Sequence, residues 1–202
     1  MSEQKPAPKI MLERREVVAA LLKDRGDTLV VTGLGSSTYD AGAVSDHPLN
    51  FYLWGAMGSA AMIGLGLAIE QPKRRVLVIT GDGEMLMGLG SFATIAVDSP
   101  KNLAIVVLDN EHYGETGMQP THTGRGVDLP GMARAAGFAA TTTIRTAQQL
   151  KTWVPKLLQT PGPLFATIKV TTNPVPVSLP VRDGPTIRNR FREALLGAKA
   201  FE

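Results

Sequence analysis

The sequence predicts an α/β protein built on a doubly wound, mainly parallel sheet with helices on both faces. Three observations predict it. Short apolar, β-branched runs alternate with stretches in which apolar residues recur at helical spacing. The runs are hydrophobic throughout rather than at every second position, as strands covered on both faces are. The first three runs each end in a polar cluster, where open α/β sheets place their ligands.

The elements follow in order. Residues 1–9 (MSEQKPAPK) are polar and proline-bearing and are expected to be disordered. From Lys9 to Asp24, the spacing of Ile10, Leu12, Val17, Val18, Leu21 and Leu22 predicts an amphipathic helix. Residues 27–32 (DTLVVT) read as a buried strand, followed by a turn at GLGSS. Met57 to Glu70 is small and apolar throughout and, at 14 residues, suits a buried helix rather than a membrane span. Arg75 to Thr80 (RVLVIT) is a second strand, ending at Gly81-Asp82-Gly83, and Glu84 to Val97 has helical spacing. Asn102 to Asp109 is a third strand; Gly131 to Gly137 is a short helix, Ala139 to Thr143 a fourth strand, Ala147 to Gln159 a helix and Leu164 to Thr171 a fifth strand. In 173–185, Pro174, Pro176 and Pro180 lack amide donors and cannot enter a sheet interior. An extended arm leading to a short helix at Thr186 to Leu196 is expected there. The domain organisation is therefore a disordered start at 1–9, one binding domain at 10–172 and a C-terminal arm with its helix at 173–202.

Composition narrows the function. The chain has 202 residues, 44% hydrophobic and 19% charged, enough for one good core. There is no run of 18 apolar residues and no hydrophobic segment behind the polar start, so neither a membrane span nor a secretory signal is expected and a cytoplasmic location is. With no cysteine, disulfides, zinc-thiolate sites and iron-sulfur clusters are excluded, and any metal must be held by oxygen or histidine. The pI of about 9.3 reflects a formal charge of only +3, spread over the chain without a basic stripe or aromatic platform, so nucleic acid is not an expected partner.

The polar clusters at the strand ends carry the chemistry. In Gly81-Asp82-Gly83 the glycines let the backbone turn sharply, and the carboxylate can point at a cation. Asn110, 28 positions later and one strand over, can add an amide oxygen to the same ion. The helix beginning near Glu84 would direct amide donors at phosphate oxygens. Taken one at a time, GDG also reads as an ordinary turn, and Asn110 as a loop residue bonding its own backbone. Gly33, Gly35 and Ser36 form a Gly-x-Gly turn without the third glycine of a dinucleotide fingerprint, so they read equally as phosphate contact or plain turn. Met57 fits core packing as well as a cofactor contact. In the loop YGETGMQPTHT, Glu115, Gln119 and His122 could move protons or hold an anion, or simply be solvated. His47, before a proline in DHPLN, reads as structural.

GDG followed by a helix, a strand and Asn is the thiamine diphosphate signature. Through YLWGAMGSAAMIGLGLAIEQPKRRVLVITGDGEMLMGLGS and LDNEHYGETGMQPTHT, the chain resembles the diphosphate-binding domain of thiamine diphosphate-dependent 2-oxoacid decarboxylases. Within that family it is most similar to the small subunit of sulfopyruvate decarboxylase and the matching domain of phosphonopyruvate decarboxylase. The likeness is close over about residues 27–125 and loose elsewhere. It implies the thiamine diphosphate-binding fold, with thiamine diphosphate and Mg2+ as cofactors. Asp82, Asn110 and the main-chain carbonyl of His112 would be the metal ligands. Gly83 and Glu84 would lend amides to the diphosphate, with Gly81, Tyr113 and Gly114 beside it and Gly33, Gly35 and Ser36 across from it. Met57 would prop the cofactor into its bent form, and the Gly55 carbonyl would accept from its pyrimidine amino group. Met57, Glu115 and His122 are the candidates for the reactive end. Asp109 departs from the family, where many members carry a second Asn; that position is expected to play no coordinating part.

The resemblance further implies a reaction and a partner. A 2-oxo acid, sulfopyruvate- or phosphonopyruvate-like, would lose CO2 and yield an aldehyde. The glutamate that activates the thiamine ring sits in a second, similar domain, for which these residues leave no room. A pyrimidine-binding partner chain is therefore expected, in a heterotetramer. Decarboxylation of another 2-oxo acid, carboligation, and a non-catalytic diphosphate-binding scaffold remain the alternatives.

Overall fold

A computed structural model describes residues 11–201; the expected disordered start, and the first residues of the expected first helix, lie outside the described residues. The strands are β1 (Leu29–Thr32), β2 (Asn50–Tyr52), β3 (Val76–Gly81), β4 (Leu103–Asp109), a short ribbon of β5 (His112–Tyr113) and β6 (Gln119–Pro120), then β7 (Ala140–Ile144) and β8 (Leu164–Lys169). The helices are α1 (Arg14–Leu22), α2 (Ser36–Ser45), α3 (Ala60–Glu70), α4 (Asp82–Met87), α5 (Ser91–Asp98), α6 (Leu129–Ala136), α7 (Ala147–Gln159) and α8 (Gly184–Leu196). Six strands form one sheet in the order β2-β1-β3-β4-β8-β7, every pair parallel.

The continuous hydrophobicity of the strands is explained by the sheet having two dry faces. Successive side chains on a strand point to opposite faces. In β4, Ala104, Val106 and Leu108 join a core completed by Val17 and Leu21 of α1 and Leu150 and Leu157 of α7. Leu103, Ile105 and Val107 join the other core, with Leu65 of α3, Ile95 of α5 and Ala133 of α6. There Phe92, Phe138 and Phe165 meet edge to face, with ring centroids 5.1 to 6.0 Å apart.

The departures from the expected elements have physical causes. Leu12 does not continue α1; it bridges to Val170, and its amide bonds the Lys169 carbonyl at 2.9 Å. Helix α2 was not expected, because its buried side is made largely of Ser37, Thr38 and Asp40 and shows no apolar period. Asp40 is buried against Arg14 and Arg15 of α1 (Arg15 Nε to Oδ1 3.1 Å), and Thr38 bonds the Gly33 carbonyl at 2.7 Å. Strand β2 is three residues at the sheet edge, too short to show a pattern. The helix expected from Glu84 to Val97 is two helices, broken where the Gly58 carbonyl packs on the Gly88 backbone. A β-carbon at Gly88 would fall 2.0 Å from that oxygen. His47 is structural in the sense expected, its Nδ1 accepting from the Leu49 amide at 3.1 Å.

The proline-bearing arm stays out of the sheet and lies across α2 and the segment after β2. The Trp54 indole donates to the Val181 carbonyl at 2.8 Å, Arg182 stacks over the Trp54 ring, Pro180 packs on Gly42, and Arg15 bonds the Pro176 carbonyl at 2.7 Å. Helix α8 then returns to the core through Ile187 and Phe191, the latter edge-on to Phe51. Among the described residues no helix is long and apolar enough to cross a membrane.

The strand order positions the site. From β1 the chain goes to β2 on one side and then to β3 on the other, so the connections leave β1 and β3 in opposite directions. The crevice beyond their carboxyl ends is the switch point where such sheets bind ligands. Two glycines of α3 test the packing behind it. Gly66 faces open space, whereas a β-carbon at Gly64 would meet Val78 Cγ2 at 2.3 Å. Gly66→Ala is therefore expected to stabilise the fold by about 0.5–1 kcal/mol through helix propensity. Gly64→Ala, in the same helix, should cost about 1–3 kcal/mol through overpacking. Urea denaturation midpoints of the two variants check the opposite signs.

Candidate functional site

A cavity of about 290 Å3 opens at the switch point. Leu34, Ser36 and Ser37 come from the β1 end and the first turn of α2, Gly81 to Glu84 from the β3 end, and Asn110 and His112 to Thr116 from the turn after β4. Met57 and Met87 supply an apolar wall. Anion-binding amides, oxygen donors and an apolar surface thus meet in one crevice.

At its floor lies a buried polar cluster. Asp82 is 2% exposed; its Oδ2 accepts from the Thr121 hydroxyl, and the Thr123 hydroxyl lies 3.1 Å from Asp82 Oδ2 and 2.8 Å from Asp109 Oδ1. One hydroxyl proton therefore serves two carboxylates. Lys169, at the end of β8, is 2.6 Å from Asp109 Oδ2 and 2.9 Å from Glu111 Oε1. Burial first, and the Asp109 charge second, push the Asp82 carboxyl up to about 6, against the hydrogen bonds from Thr121, its own backbone and Thr123.

The residues present fit a divalent cation. Asp82, Asp109 and Glu111 outnumber the Lys169 ammonium among them, and buried excess negative charge is relieved by a metal with oxygen ligands. Asn110 Oδ1 accepts from the His112 amide at 2.9 Å, a short-range bond that fixes the turn around the amide oxygen. His112 also stands at a special register position. The Thr121 amide bonds the Glu111 carbonyl at 2.8 Å, so 111 and 121 are the bonded pair and His112, opposite Pro120, is not. By the alternation of antiparallel ladders, the His112 carbonyl points away from the ribbon. A carboxylate, an amide oxygen and a carbonyl are a donor set suited to Mg2+.

Of the expected residues, Ser36, Met57, Gly81, Asp82, Gly83, Glu84, Asn110, His112, Tyr113, Gly114 and Glu115 line the cavity. Gly33 stands behind its wall, where a β-carbon would fall 1.6 Å from Glu84 Oε2. The Glu84 side chain is itself buried, bonded by the Thr80 hydroxyl at 2.7 Å and raised in pKa by that burial, against bonds from Thr80 and the Gly58, Leu34 and Gly81 backbone. Gly35, at φ 74, lies under the Glu115 carboxylate. The Tyr39 hydroxyl nearby is raised in pKa by burial and then by the Glu115 charge. Gly55 is exposed beyond the lining residues, and His122 is exposed on a 3-10 turn outside them. Gln119 is exposed and bonded to Thr116.

Sequence reasoning missed Thr121, Thr123, Lys169 and the part played by Asp109, which was expected to matter little. Two signals were present: Thr-x-Thr, spaced to put two hydroxyls on one side, and a lysine, the one charged residue, closing the buried strand LFATIK.

The family model described as thiamine pyrophosphate enzyme, C-terminal TPP binding domain, matches residues 33–168, and the chain belongs to that family. Sulfopyruvate decarboxylase subunit beta of Methanothermobacter thermautotrophicus is 39% identical over 189 residues, covering 94% of this chain and 98% of that one. Phosphonopyruvate decarboxylase of Streptomyces viridochromogenes is 40% identical over 144 residues, 71% of this chain and 36% of that protein. The solved structure of benzoylformate decarboxylase from Polynucleobacter necessarius has a TM-score of 0.69 at 20% identity, over 88% of this chain and 36% of that one, a likeness of fold.

The sign of the Asp82 effect can be checked without cofactor. A carboxyl raised from 3.8 to about 6 carries no penalty below the lower value; the penalty grows as pH rises and is complete above the upper one. Asp82→Asn should therefore stabilise the metal-free chain by about 1–3 kcal/mol at neutral pH, and hardly at all near pH 4. Urea titrations in a chelator at both pH values measure it.

Proposed function

We propose that the chain is the diphosphate- and Mg2+-binding subunit of a heteromeric thiamine diphosphate-dependent decarboxylase. Its substrate would be a 2-oxo acid bearing a second anionic group, sulfopyruvate or phosphonopyruvate in type, and its products an aldehyde and CO2. The observation that carries this reading is the convergence of Asp82 and Asn110, from the ends of neighbouring strands, on one cavity beside the outward carbonyl of His112.

In this reading Asp82, Asn110 and the His112 carbonyl hold Mg2+, and the amides of Gly83, Glu84 and Ser36 face the diphosphate. Bound thiamine diphosphate supplies the electron sink for the bond to the departing carboxylate. Met57, on the apolar wall, supports the bent cofactor and excludes water. Glu115, which lines the cavity, is assigned to the reactive end as a general acid-base group. His122, on the exposed outer turn, is assigned to the substrate's second anionic group.

The need for a partner chain has two supports. The relative matched along 98% of its length is itself named a subunit. The two glutamates that line the cavity also both lie against this chain's own loops, Glu84 bonded by Thr80 and Glu115 packed on Gly35, so the carboxylate that activates the pyrimidine is assigned to another chain. A heterotetramer with two sites, in the cytoplasm, completes the proposal.

Co-purification with a pyrimidine-binding partner, followed by assay of a panel of 2-oxo acids with Mg2+ and thiamine diphosphate, tests it. CO2 release is expected to need both chains and to be fastest with the sulfonate or phosphonate acid. Asp82→Ala should lower the rate by at least about 100-fold through loss of metal. Full turnover by that variant, or by this chain without a partner, would overturn the assignment.

A further inference from the structure

We propose that Lys169 is a positioning residue that latches the metal turn into its ligating shape. The proposal rests on the reading of Asn110 as a metal ligand. Asp109 and Glu111 flank Asn110, and the same ammonium holds both, at 2.6 and 2.9 Å. Drawing the two flanking side chains to one cation leaves Asn110, between them, facing the cavity that it lines. The latch also works against strain. Glu111 has φ 64, a left-handed conformation that a β-carbon disfavours, and it needs an external tie to persist. Lys169 supplies that tie from β8, a strand paired on both sides, with β4 and with the edge strand β7.

The same turn places the backbone groups of the metal site. The Glu111 amide bonds Asp109 Oδ1 at 3.0 Å, the His112 amide bonds Asn110 Oδ1 at 2.9 Å, and the Glu111 carbonyl takes the Thr121 amide that sets the ribbon register. Losing the ammonium would remove the tie that draws the Glu111 side chain to Asp109 and loosen the orientation of the Asn110 oxygen and the His112 carbonyl together.

Two variants of the full chain separate this role from charge balance. Lys169→Met with Asp109→Asn removes the cation without leaving Asp109 unpaired, and Glu111→Gln cuts the latch while keeping the Lys169–Asp109 pair. In the metal-free protein, hydrogen exchange at the Glu111 and His112 amides should quicken while that of β3 stays unchanged. The Mg2+ concentration for half-maximal thiamine diphosphate retention should rise about 10- to 100-fold in both variants. A parental Mg2+ midpoint in either variant overturns the latch. If the parent chain co-purified with its partner retains no thiamine diphosphate, the proposed function fails instead, and unchanged exchange at those two amides would then overturn the latch independently.

Discussion

Asp82 is a carboxylate shut away from water beside a second carboxylate, with two threonine hydroxyls between them. Such a group is costly when ionised; hydrogen bonds from Thr121, Thr123 and its own backbone offset that cost only in part, and the nearby Lys169 ammonium is engaged with Asp109 and Glu111. The end of the sheet is arranged around that constraint. Strand β3 delivers the carboxylate, β4 delivers the amide oxygen, β8 delivers the balancing cation, and the ribbon folds back to bring Thr121 over the top. The chain gives up stability at neutral pH to keep this arrangement, and in the proposed function a bound cation would return it.

Much of the architecture was legible in the sequence, because its driving force is periodic. Val76 to Ile79 and Leu103 to Leu108 are hydrophobic at every position, which requires two covered faces and hence parallel strands with helices between. What stayed hidden was folded by polar burial. Ser37, Thr38 and Asp40 give α2 no apolar stripe, and its partners Arg14 and Arg15 lie more than 20 residues earlier. The site divides the same way. Gly-Asp-Gly and the later Asn follow from local turn chemistry and spacing, whereas Lys169 meets Asp109 only because β8 inserts beside β4, which no window of sequence reveals.

Several glycines that read as phosphate contacts are explained by side chains lying on them. Glu84 fills the space over Gly33, Glu115 that over Gly35, and Tyr113 that over Gly83. Each absent β-carbon lets two loops approach within contact, so the cavity wall is assembled from loop pairs rather than from single loops. Gly83 also lines the cavity directly, while Gly33 stands one layer back.

The proline-bearing arm gives the C-terminus a share in the active crevice. Through Val181 and Arg182 it grips Trp54, three residues before Met57, and through Pro180 it backs the helix whose first turn carries Ser36. A chain cut at residue 172 would keep every strand of the sheet, yet the methionine wall would lose its buttress.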